Sequence, residues 1–346
     1  MDYVILGNSG LVVSRLAFGA MTFTNGGKMM ASVNKVDQGL ADTMVGHAID
    51  AGVNFFDTAD IYDRGESEIV LGRALKAHRQ QAVIATKVGL RTGSALTRAG
   101  LSRRHILMSA EESLRRLGTD WIDVYIAHKY DPFTPLDETL AAFDALVRAG
   151  KVRYIGFSNW PAWVATAALE KQAVRGWAPF CHGQMHYSLL GRDIERDVVP
   201  MMARYGIGLT VWSPLAFGFL SGKFTPETLK QKGTRFAEND LLPFDKEQGF
   251  QLVETLRSIA QHYSSTMPQV ALSWLLSKKA VSSVLLGATG LAQLRENLAA
   301  VNLRLSPDHL ATLDAATEPP KVYPYWFIDA FVDAPLQDAI APTQAR

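Results

Sequence analysis

Short apolar runs alternate along the chain with longer stretches whose apolar positions recur every three to four residues. The short runs are LAFGA (16–20), VNFFDTA (53–59), AVIATK (82–87), WIDVYIAH (121–128), RYIGFSN (153–159), CHGQMHY (181–187), GIGLTVWS (206–213) and SVLLGAT (283–289). Each has the length and the β-branched or aromatic content of a buried strand. Between them, SRRHILMSAEESLRRLG (102–118) and PLDETLAAFDALVRAG (135–150) carry the helical period. In the second, Leu136, Leu140, Phe143, Leu146 and Val147 fall on one face. Strands alternating with helices predict βαβ units around a parallel sheet. Eight such units predict closure into a single α/β (β/α)8 barrel.

Three segments stand outside that rhythm. YVILGNSGLVV near the start joins two apolar runs through Gly7-Asn8-Ser9-Gly10 and predicts a β-hairpin ahead of the barrel. Residues 223–246, after the seventh strand, are polar and poorly periodic and read as a long functional loop. The tail from about 319 carries Tyr323, Tyr325, Trp326, Phe327 and Phe331 beside Pro324. That many rings call for cover, whether in a substrate pocket, an interface or packing against the barrel. With no repeat and no linker, the chain reads as one domain over residues 1–346.

Composition narrows the class without choosing a chemistry. Of 346 residues, 48% are apolar and 20% charged, and 35 Lys+Arg balance 34 Asp+Glu to leave a net charge of +1. No sequence-wide basic field invites nucleic acid or anionic lipid. One cysteine, Cys181, excludes an internal disulfide framework and fits a reducing compartment. No apolar run reaches the ~20 residues of a spanning helix. The start does not read as a signal peptide, so a cytoplasmic location without a membrane partner is expected.

Several chemistries are missing from the sequence: no dinucleotide fingerprint G-x-G-x-x-G follows a strand, and no P-loop, H-E-x-x-H or G-x-S-x-G occurs. His182 and His186 share a strand face by period 2 and lie beside Cys181, but lack a third ligand nearby in sequence. Packed or hydrogen-bonded histidines are the expectation there, and no metal.

In a (β/α)8 barrel the residues to examine end the strands. Asp57 ends the second, Lys87 the third and His128 the fourth, and Tyr62 follows Asp57 by five residues. Singly, each has a bland alternative as a helix cap, packing ring or solvated charge. Together they place an acid, a phenol, an ammonium and an imidazole at one barrel mouth. An ammonium close to a phenol stabilises the phenolate, and a carboxylate would hold that ammonium charged and in place. The imidazole would orient a carbonyl oxygen. Such a set protonates an oxygen while something else adds to the carbon, which is carbonyl reduction or its reverse.

FFDTADIYDRGESEIVLGRAL (55–75), with Lys87 and His128 following, resembles the aldo-keto reductase family. The likeness continues through FSNW (157–160), QMHYSLLGR (184–192), VWSPLAFGFLSGKF (211–224) and LLGATGLAQLREN (285–297), in the family's order across nearly the whole barrel. The late motifs are most similar to the branch that includes the potassium-channel β subunits and their bacterial relatives. The resemblance implies an NADP(H)-dependent oxidoreductase acting on a small carbonyl or alcohol. Tyr62 would be its general acid or base, Lys87 the partner of Tyr62, Asp57 the partner of Lys87, and His128 the orienting group.

It further implies that Ser158, Asn159 and Gln184 hold the nicotinamide carboxamide and that Trp212 stacks on its ring. Met21 and Asp57 would also touch the cofactor. Ser213, Pro214 and Leu215 would line the pyrophosphate, with Lys223 and Arg235 closing from the long loop. Gly287, Thr289, Gln293, Glu296 and Asn297 match the adenosine end. Other branches place a Lys and an Arg where this chain has Gly287 and Gln293, which leaves NADH open; NADPH is expected in preference despite them, because the loop after the seventh strand supplies Lys223, Lys230, Lys232 and Arg235. The alternative within the branch is a cofactor-bound redox sensor or regulatory subunit with little turnover. The complete tetrad, and a hairpin beginning close to Met1, favour the enzyme. Substrate, direction and oligomeric state stay open at this stage.

Overall fold

In the computed structural model, residues 1–27, 32–238 and 240–340 are described. Position 239 of the long loop and the last six residues of the tail lie outside the described residues. Two short strands, β1 (Tyr3–Ile5) and β2 (Val12–Ser14), pair antiparallel as the expected hairpin. Eight more strands follow: β3 (Leu16–Gly19), β4 (Phe55–Asp57), β5 (Val83–Val88), β6 (Ile122–Ala127), β7 (Val152–Ser158), β8 (Phe180–His186), β9 (Gly208–Trp212) and β10 (Val281–Leu286). All pair in parallel, in sequence order, and β10 returns to β3 to close the barrel. Every predicted strand is present, with ends that differ by a few residues.

The outer layer is helical. Arg103–Leu117 forms one of the predicted helices, and Ser102 caps it by accepting the His105 N–H. Leu136–Arg148 forms the other and buries Leu140, Phe143 and Leu146 against the strands, as its apolar spacing requires. The main core lies between strands and helices. A second, smaller core fills the barrel itself, from Ala17, Phe55, Val83, Ala85, Val124, Ile126 and Leu285.

That inner set defines which residues point inward, because side chains alternate along each strand. Two residues on from Phe55, Ala85, Ile126 and Leu285 come Asp57, Lys87, His128 and Gly287. Period 2 alone therefore carries polar residues from several strands to the same height, above the apolar plug.

The hairpin seals the opposite end. Leu6 and Val13 are fully buried in the inner core. Gly7 adopts φ +57, and a Cβ there would stand 2.2 Å from the Cys181 carbonyl oxygen and 2.5 Å from the Gly208 nitrogen. Only glycine lets the chain lie that close to the barrel floor.

The stretch 223–246 is better packed than its sequence predicts. It contains a short helix, Arg235–Glu238, and buries Leu229, Phe236 and Leu242. Phe236 packs near Phe217, Phe219, Phe224 and Phe244, with ring centroids 5.5–6.2 Å away.

The tail departs from expectation in the other direction. Its helices, Tyr325–Ala330 and Ala334–Ile340, contain no buried residue. Tyr323 and Phe331 are largely exposed, Trp326 and Phe327 about half so, and Tyr325 is half-buried, so packing on the barrel's outside covers these rings at most in part. Arg196 donates to the Pro320 carbonyl at 2.9 Å, and the Tyr325 hydroxyl meets Asp197. Among the described residues no helix is long and apolar enough to cross a membrane.

Candidate active site at the barrel mouth

Lys87 is fully buried near the C-terminal end of β5, and the hydrogen bonds of its ammonium run to the β4 side. Its Nζ donates to Asp57 Oδ1 at 2.6 Å, to the Thr58 carbonyl at 2.8 Å and to the Tyr62 hydroxyl at 3.2 Å. Gln184, from across the barrel, donates its amide to the other Asp57 oxygen at 2.7 Å. Both carboxylate oxygens are thus engaged, and the ammonium has three partners. The predicted carboxylate–ammonium–phenol chain is present.

Tyr62 is held by an unusual turn. It opens a one-turn helix, Tyr62–Gly65, in which Asp63, Arg64 and Gly65 have φ of 45°, 59° and 93°. Asp63 is buried and accepts the Thr24 hydroxyl at 2.5 Å, which ties the turn to the loop after β3. At Gly65 a Cβ would sit 2.7 Å from Arg116 Cδ, so the position needs glycine on two counts. Asp63 and Arg64, left-handed without being glycine, cost about 1–3 kcal/mol each, and the turn they make fixes the placement of one phenol. His128 completes the set, its ring edge-on to Tyr62 with centroids 5.9 Å apart and planes at 81°.

Burial dominates the electrostatics. It pulls Lys87 down, but Asp57 and Tyr62 outweigh it and hold the ammonium above its ordinary range. Burial lifts Tyr62 above its ordinary value, against the pull of Lys87. This corrects the simple expectation of a lowered phenol: Lys87 offsets desolvation and does not overcome it. Tyr62 therefore keeps its proton at neutral pH. Burial, followed by Lys87, drives His128 well below the usual imidazole range, so the ring is neutral and its Nδ1 has no partner.

Beside the tetrad, a second polar chain crosses the mouth. Trp212 Nε1 donates to Asn159 Oδ1 at 3.0 Å, and Asn159 Nδ2 donates to the His128 carbonyl at 3.0 Å and to Ser158 Oγ at 2.9 Å. Ser158 Oγ in turn donates to the Gln184 carbonyl at 2.7 Å. Asn159 has φ +57, which turns its side chain back over the mouth. The four residues expected to hold one flat ring thus form a continuous rim.

His186 stacks against Trp212 at 4.8 Å, a support the sequence reading did not assign. Its signal was the shared parity with Gln184. His182, one layer lower, bonds Thr210 Oγ1 at 2.9 Å, while the Cys181 thiol turns outward to the Ile155 carbonyl at 3.8 Å. The three do not converge.

The remaining candidates lie around β9, β10 and β3. Ser213, with φ +52, accepts the Phe217 N–H at 3.0 Å and starts a tight turn through Pro214 and Leu215. Arg235 lies with its guanidinium 3.7 Å over the Phe217 ring and one nitrogen 3.9 Å from Met21 Sδ. Burial lowers it to about 10, and its Nε has no partner. Lys223 reaches solvent, yet partial desolvation, then Lys35 and Arg235, lower its ammonium below the ordinary range. None of these three cations has an ion-pair partner among the described residues, which leaves this end of the mouth positive.

Gly287 is open, Thr289 and Gln293 bond each other at 3.0 Å, and Glu296 receives Gln269 on its carbonyl. Asn297 is buried with its amide nitrogen unpartnered. Unpaired cations and orphaned buried donors around open glycine backbone suit a dianionic, heteroaromatic ligand such as a dinucleotide.

Comparison with known proteins agrees with the geometry. The Aldo/keto reductase family profile matches residues 15–318. A Schizosaccharomyces pombe protein named "Putative voltage-gated potassium channel subunit beta" is 37% identical over 327 residues, covering 91% of this chain and 92% of its own. "Probable voltage-gated potassium channel subunit beta" of Arabidopsis thaliana is 35% identical over 88% of this chain and 92% of its own. "Versiconal hemiacetal acetate reductase" of Aspergillus parasiticus is 31% identical over 94% of this chain and 99% of its own.

Proposed function

Since the chain belongs to the aldo/keto reductase family, we propose that it is an NADP(H)-dependent oxidoreductase interconverting an aldehyde or ketone with the matching alcohol. The observation that carries this reading is the buried Asp57–Lys87–Tyr62 chain with neutral His128 across from it. When bound, the nicotinamide supplies or accepts hydride at the substrate carbon.

The chain's own residues manage the oxygen. His128 is neutral and can donate an N–H to the carbonyl oxygen, which polarises and orients it. Tyr62 gives its phenolic proton to that oxygen as the alcohol forms. The phenolate left behind stands 3.2 Å from the Lys87 ammonium, whose charge Asp57 secures. In the reverse direction Tyr62 takes the proton back. Ser158, Asn159 and Gln184 would hold the nicotinamide amide, and Trp212 and Met21 its faces. Ser213, Pro214, Leu215, Lys223 and Arg235 would take the phosphates. Gly287, Thr289, Gln293, Glu296 and Asn297 would take the adenosine.

Tyr62→Phe tests the assignment, because it removes one hydroxyl and little volume. Turnover on a panel of aldehydes and alcohols should fall by ~10²–10⁴-fold while cofactor binding stays near normal. Retention of more than about a tenth of the activity would dismiss Tyr62 as the proton donor.

The names of two relatives favour a second reading, a cofactor-bound regulatory subunit with slow turnover. Steady turnover of generic carbonyls supports the enzyme. Tight cofactor retention with very slow oxidation supports the sensor.

A further inference from the structure

Two exposed apolar surfaces of opposite charge stand on this molecule, and neither covers the other. In the tail, Tyr323, Trp326, Phe327, Ile328, Phe331 and Val332 are 49–72% exposed. Among the described residues their ring–ring contacts lie within the tail, Phe327 and Phe331 at 4.7 Å. From 322 to 340 the tail carries Asp329, Asp333 and Asp338 and no Lys or Arg. Lys321 pairs with Asp329, which leaves two free acids.

The second surface is the rim of loops after β5, β6 and β7. Leu96, Phe133 and Trp163 are 89%, 92% and 68% exposed there. The loops form one patch: Asp131 accepts the Leu101 and Phe133 N–H groups at 2.7 and 3.0 Å, and Tyr130 lies 6.2 Å from Trp163. Arg91 and Lys129 stand exposed on it.

The amount of surface is also informative. The chain exposes 16331 Å², against roughly 13,900 Å² for a compact monomer of 38.0 kDa by the mass scaling. The excess of about 2,400 Å² per chain exceeds the ~800 Å² that a standard interface removes from each partner, and two such chains together reach only the range of large homodimer interfaces.

We propose that a second copy of this chain covers both surfaces, the acidic aromatic tail of each lying across the basic apolar rim of the other. Self-complementary pairing about a two-fold axis uses each surface once per chain and closes without leaving a free patch. The chain's own rim is not the target, because Arg196 and Asp197 hold the tail beside the loop after β8. The partner's rings then wall the entrance above Tyr62 and His128.

This inference goes beyond the catalytic reading, and its readout is mass. By light scattering the full-length chain should run at twice 38.0 kDa. Trp326→Ser with Phe327→Ser, and separately Phe133→Glu with Trp163→Glu, should each raise the dimer dissociation constant at least ~10-fold. All four positions are solvent-facing, so the melting temperature of the isolated subunit should hold. Asp333→Lys with Asp338→Lys should also weaken the dimer. Mixing that variant with Arg91→Asp, Lys129→Asp chains should restore pairing between the two. A monomeric wild type, or a dimer indifferent to both surface sets, overturns the proposal, as does a monomer whose tail is protected from hydrogen exchange on its own rim.

Discussion

Lys87 has nowhere else to go. Buried completely, it can keep its charge only while Asp57, the Thr58 carbonyl and Tyr62 surround it. Removing Asp57 would leave a buried cation without its counter-charge, so this acid governs stability as well as the placement of the ammonium. Arg235 is the opposite case, a cation parked on Phe217 with donors to spare. Arg235→Ala should weaken NADPH by roughly 10- to 150-fold and NADH much less, since only NADPH brings the extra phosphate. Dissociation constants for both cofactors check this: equal losses would move Arg235 to the shared pyrophosphate, and tighter NADH binding in wild type would end the preference.

His182 supplies a pH test. Burial lowers it to about 3, whereas an unfolded imidazole protonates near ~6.5. Between those values the unfolded chain binds more protons, so stability is whole above ~6.5 and falls as pH drops. His182→Gln should therefore show a shallower loss of melting temperature between neutral pH and mildly acid pH than wild type. An unchanged slope would show that His182 is not part of the acid response. The tetrad was legible residue by residue, because each member ends a strand or follows one closely. The bond from Gln184 to Asp57 was not, since those strands lie far apart in sequence.

At the level of elements, the period of each apolar run decided both type and orientation. Eight short runs became eight staves, and the parity that fills the barrel with Phe55, Ala85 and Ile126 also lifts Asp57, Lys87 and His128 to the mouth. The long loop was harder to read. Its buried Phe236 and Leu242 are held by rings from distant segments, a packing that no local period announces. The hairpin belongs to the stability face of the barrel. Gly7→Ala would press a methyl into the Cys181 carbonyl and strain a left-handed backbone, at a cost of ~2 kcal/mol or more. Thermal melting should fall by several degrees while kcat per folded molecule at room temperature stays the same. Equal loss of kcat would show that floor and mouth are coupled.

For the whole molecule, closure was predictable from strand number, whereas the tail was not. Its rings announced a need for cover that this chain's own barrel does not meet, because a single sequence is silent on what a surface meets in solution. The sealed floor has a separate consequence. Cys181 is the chain's only thiol, buried beside Gly7 and raised by burial to about 12. With so little thiolate and no access, mild oxidants and alkylating reagents should leave the native protein untouched. The hairpin's Ser9 lies against that thiol, so maleimide should reach the sulfur chiefly at moments when the hairpin lifts, and labelling speed becomes a clock for that opening. Each 1.4 kcal/mol removed from the floor should quicken the clock about tenfold, and Gly7→Ala should make it run visibly fast while the wild-type protein scarcely ticks.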